Sequence, residues 1–143
     1  MHKKFYIANL VSHLSLIISM IFPVLKVDEK RLALLTDQSV QAQNLNLFEY
    51  IAKRVSPITG YFMIFLLLIA CAGVANSVYG MIEKKVNSLS VKLSFIFGFS
   101  SAAMAALQLY SNSILLLIIC VVSFVIISIS SVKLMKIDEV QND

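Results

Sequence analysis

The chain has 143 residues, of which 59% are hydrophobic and only 14% charged, with a formal charge of +4. Soluble domains run nearer ~45–50% apolar and ~25% charged, so a water-facing globule of this size is excluded as a home for so much apolar surface. The basic residues sit beside apolar segments, where lysine and arginine set topology. Nucleic acid therefore drops out as an expected partner, and the lipid bilayer becomes the first.

A helix that crosses a bilayer needs ~20 mostly apolar residues. Four stretches meet that need without any Asp, Glu, Lys or Arg: about 5–25, 59–79, 93–110 and 113–132. Backbone groups find no partners in hydrocarbon, so each stretch must be helical unless the chain closes a barrel. The runs LLLIIC and IFLLLIA lack the alternation of a barrel strand. The expected fold is an all-α membrane protein, a single four-transmembrane-helix bundle over 1–143.

His2-Lys3-Lys4 ahead of the first run resembles the start of a signal peptide. Pro23, Leu25 and Lys26 stand where a small-residue cleavage site would fall, so the segment reads as a retained anchor. A long loop, 26–57, follows. In it, Asn46-Leu47-Phe48-Glu49 has the spacing of a capping box, with Leu45 and Tyr50 as a hydrophobic staple. Leu47, Phe48, Ile51 and Val55 recur at helical spacing, with Lys53 and Arg54 opposite. This predicts a short amphipathic helix on the membrane surface. Ser56-Pro57 marks the bend into the second span, and Val27–Gln43 shows no firm period and is expected to cover the span ends. The connection 80–92 is short and polar, and 110–113 is a tight turn that makes spans three and four an antiparallel hairpin. The tail 133–143 is short and polar.

Small residues recur every four positions in the spans. Ser94, Gly98, Ala102 and Ala106 form one ridge, and Gly73 and Ser77, with Ala70 nearby, form another. Ala8, Ser12, Ser15 and Ser19 line the first span. Such ridges let helix backbones approach closely, within the chain or against another subunit. The intramembrane polar residues of note are Asn9, His13, Asn76 and Gln108. Asn9 and Asn76 are expected at similar depth, close enough to pair. A lone His13, with no carboxylate or second histidine in any span, reads first as a neutral hydrogen-bonder and second as a proton relay or ligand site.

Cys71 and Cys120 lie about twelve and seven residues from the outer ends of their spans. Five residues of offset is about 7.5 Å along a helix axis, beyond the ~6.8 Å that a disulfide tolerates between Cα atoms. Thiol redox chemistry is therefore not expected. Phosphate-binding loops, zinc signatures and nucleophile elbows are absent from the sequence, so no catalytic residue, cofactor or metal is assigned.

Seven basic residues (Lys3, Lys4, Lys84, Lys85, Lys92, Lys133, Lys136) share the face of the termini, against five on the other. That bias places both termini in the cytoplasm and the long first loop outside. The layout resembles small bacterial four-span membrane proteins in Phe22-Pro23 closing the first span and Leu47-Phe48-Glu49 leading into the second. That resemblance covers the first half of the chain and implies a bacterial cytoplasmic membrane but no activity. In size and topology the chain is also similar to immunity proteins against pore-forming toxins. The expected role is a non-catalytic accessory or interaction subunit of a membrane assembly, bound to another membrane protein or to itself. An immunity protein, or an oligomeric channel or small transporter, are the alternatives.

Overall fold

A computed structural model describes residues 2–21, 25–27, 43–53, 57–108 and 114–142. In chain order the elements are α1 (Lys3–Ile21), β1 (Leu25–Val27), β2 (Gln43–Leu45), α2 (Leu47–Ala52), α3 (Pro57–Ile82), α4 (Ser88–Gln108) and α5 (Ile114–Asn142). The four long helices are each long and apolar enough to cross a membrane. They close into a ring, with α1 and α4 each packed against both α3 and α5.

Close approach sets the register of α1 on α3. The Tyr6 ring lies against Gly80, and the His13 ring against Gly73; a Cβ at either glycine would collide with the ring. A step of seven residues up α1 matches seven back along α3, so the two helices are antiparallel. Both glycines are buried. Hydrocarbon gives helices little reason to associate through apolar area alone, so such backbone contacts carry much of the packing.

Two apolar clusters close the bundle's ends. At the loop end, Leu16, Met20, Met63, Leu66, Met104, Leu116 and Cys120 pack with Leu45, Leu47 and Tyr50. At the end bearing the chain termini, Tyr6, Val86, Val91 and Leu134 form a smaller one.

The helices outrun the apolar stretches that announce them. Helix α3 continues to Ile82 and α4 starts at Ser88, so the connection is residues 83–87 rather than 80–92. Asn87 supplies the start signal of α4: its Oδ1 accepts from Leu89 N at 2.9 Å, as an N-cap does. The short polar tail beyond Lys133 stays helical to Asn142. Two contacts hold it there. Leu134 is fully buried, and Gln141 Oε1 accepts from Val86 N at 3.0 Å. At the other end, α1 stops at Ile21, and Leu25–Val27 turns back as a strand paired antiparallel to Gln43–Leu45, Leu25 opposite Leu45. This small ribbon is the one departure from helix among the described elements.

Helix α2 forms with both halves of its capping box: Asn46 Oδ1 accepts from Glu49 N at 2.8 Å, and Glu49 Oε2 accepts from Asn46 N at 3.0 Å. Its apolar face differs from the expected stripe. Leu47 and Tyr50 are buried and Ile51 rests on Gly60 of α3, whereas Phe48 points outward, 61% exposed. Val55 lies outside the described residues. The helix is thus a lid seated on the bundle, because Leu47, Tyr50 and Ile51 (i, i+3, i+4) share one face and Phe48 does not.

Candidate functional site

Between the two apolar clusters lies a buried layer of polar side chains. Its best-bonded part joins α3 to α4. Asn76 Nδ2 donates to Ser90 O and to Ser94 Oγ, and Asn76 Oδ1 accepts from Ser90 Oγ, each at 3.0 Å. Ser94 Oγ donates in turn to Ser90 O, also at 3.0 Å. The amide thus uses its acceptor and its donors on one neighbouring helix, which fixes both depth and rotation of α3 against α4.

The part contributed by α1 is different. Tyr6, Asn9, Ser12 and His13 are all buried on its inner face. His13 Nδ1 lies 2.7 Å from Asn9 O. A carbonyl only accepts, so Nδ1 carries a proton and donates it there. The Nε2 of the same ring has no hydrogen-bond partner among the described residues, and the same holds for Tyr6 Oη, both polar atoms of the Asn9 amide, Ser12 Oγ and Ser131 Oγ. The expected Asn9–Asn76 pair does not form. Matching depth brings two asparagines to the same layer, but Asn76 is turned toward α4 and finds its partners there. Ser123 Oγ donates at 3.5 Å to the Ser12 carbonyl, a long bond between α5 and α1.

Burying a polar group without a partner costs about 1–3 kcal/mol, so this α1 face is the chemically unspent part of the interior. It offers hydroxyl, amide and imidazole groups for water or a small polar molecule. It has no nucleophile–base pair and no carboxylate, and no group of three His, Cys, Asp or Glu among the described residues is placed to hold a metal. Apolar clusters stand on either side of it.

The small-residue ridges are largely consumed inside the chain. Gly73 receives His13, Gly98 lies under Ile127, Ser94 bonds Asn76, and buried Ser77 donates to Gly73 O at 2.8 Å. Ala102 is half-buried and Ala106 exposed. Gln108 ends α4, and its side chain lies outside the described residues. Cys120 is buried and Cys71 exposed, both as free thiols.

A feature that the ridge reading misses lies on the outward face of α3. Cys71, Ala72 and Ala75 are exposed there, between Phe65 and Leu68 on one side and Tyr79 on the other. At about 100° per residue these six positions fall within roughly a third of the helix circumference. Spacing alone did hold the signal, in Cys71-x-x-x-Ala75, but not which face would be turned outward.

Fold and interior together define a multi-pass helical membrane protein. Comparison with known proteins finds no matching family model, no similar curated protein and no similar solved structure.

Proposed function

We propose that this chain is a non-catalytic interaction subunit of the bacterial cytoplasmic membrane, with both termini and the 83–87 connection in the cytoplasm and the α2 lid outside. The seven-to-five distribution of basic residues supports that orientation. Catalysis is disfavoured by the chemistry of the polar layer, which has hydrogen-bonding groups but no paired acid and base. Apolar clusters on both sides of that layer disfavour a pore through one copy.

The observation that carries the interaction role is the notch on α3. Small residues exposed in mid-span, flanked by large ones, let a second helix come close, as buried glycines do inside this bundle. The partner is another transmembrane helix packed along Cys71, Ala72 and Ala75.

A photoreactive benzoylphenylalanine in place of Ala75 tests this in intact membranes, with the same substitution at Val122, an exposed α5 position, as control. The expected result is a discrete adduct from position 75, none from 122, and loss of the adduct on Ala72→Trp. A chain that migrates as a monomer from both positions overturns the proposal.

A further inference from the structure

At the terminal end of the bundle an open groove of about 320 Å³ runs between α1 and α5, lined by Phe5, Lys133, Lys136, Ile137, Val140 and Gln141. From it we infer that the bundle carries a binding site for one anionic phospholipid of the leaflet that meets the chain termini. This site is independent of the partner notch on α3.

Three observations converge on that occupant. The first is depth. Ile114–Val132 is an uncharged run, and its eighteen steps span about 27 Å, close to the ~30 Å of a hydrocarbon core. Lys133 and Lys136 therefore emerge at the headgroup plane.

The second is charge. Lys133 and Lys136, three apart, share one helix face with Ile137, Val140 and Gln141. Asp138 lies about 60° beyond the Gln141 edge of that stripe and Glu139 flanks its Lys136 edge, but among the described residues no acidic side chain lines the groove. A third cation stands beside it, since Lys4 Nζ lies 5.1 Å from the centre of the Phe5 ring. The lining thus pairs two ammonium groups with an apolar floor, complementary to a phosphate joined to an acyl chain.

The third is continuity. Four, seven and eleven residues before Lys133, on the same stripe, stand Ile129, Ile126 and Val122, all exposed. They form an apolar track leading from the groove into the membrane, along which an acyl chain can lie. A soluble anion would use the lysines but not the track.

Native mass spectrometry of the detergent-solubilised full chain tests the site, titrated separately with phosphatidylglycerol, phosphatidylcholine and inorganic phosphate. Wild type should retain one phosphatidylglycerol in preference to phosphatidylcholine. Lys133→Gln with Lys136→Gln should weaken phosphatidylglycerol roughly 30-fold, at about fivefold per lysine. Lys84→Gln with Lys85→Gln removes the same charge from the two exposed lysines of the 83–87 connection and should leave the preference intact. Circular dichroism checks that each variant remains helical. Equal retention of the two lipids, equal losses in the two double variants, or phosphate competing as well as the lipid would each overturn the inference.

Discussion

At the loop end of the bundle, Leu45, Leu47 and Tyr50 close over Met20, Met63 and Leu116. Within the spans, toward the terminal end, Asn76 ties α3 to α4, while Gly73 and Gly80 admit the rings of His13 and Tyr6 from α1. The lid comes from the long connection between the first two spans, outside the uncharged runs, so taking Leu47 and Tyr50 out of water gains the full hydrophobic contribution. Deeper in, lipid is as apolar as leucine, and structure depends on close backbone contact and interhelical hydrogen bonds. The same chain thus uses soluble-protein energetics at its loop end and membrane-protein energetics within the spans.

Mutations that break this contrast should fall in a definite order when unfolding is followed by circular dichroism during titration with sodium dodecyl sulfate. Leu47→Ala leaves a cavity under the lid and should destabilise by about 3 kcal/mol. Gly73→Val drives a side chain into the His13 ring and should cost about 2 kcal/mol. Combining it with His13→Ala should recover part of that loss, the non-additivity expected of groups in contact; strict additivity would refute the register of α1 on α3. Asn76→Ala removes three hydrogen bonds between α3 and α4 and should cost about 1.5 kcal/mol, near the top of the measured range for such groups. Asn46→Ala breaks both halves of the α2 cap and should cost about 1 kcal/mol. If Leu47→Ala proved milder than Asn46→Ala, the lid would not be packed as described.

How far these features were legible follows from how local they are. Four uncharged runs announce four helices, because hydrophobic length is written residue by residue. The Asn46–Glu49 box is complete within four residues and was equally readable. Face assignment was not. Leu47, Phe48 and Ile51 look equivalent until the lid is docked, and only then does Phe48 turn outward and Tyr50 inward. Depth placed Asn9 and Asn76 in one layer, yet rotation about each helix axis decides who bonds whom, and that is a tertiary property. Polar composition suggested a tail after Lys133, but Leu134 and Gln141 hold it as helix through contacts with α1 and the 83–87 connection. The β1–β2 pairing joins residues that are far apart in sequence, and no turn signal marks it.

Four helices that cross the bilayer put the α2 lid and the terminal end on opposite sides. In a chain carrying Cys71→Ser and Cys120→Ser, single cysteines at Phe48, Lys85 and Gln141 can be probed in intact cells with a membrane-impermeant maleimide, before and after permeabilisation. Phe48→Cys should label from outside, while Lys85→Cys and Gln141→Cys should label only once the membrane is opened. Labelling of all three from the same side would contradict that arrangement.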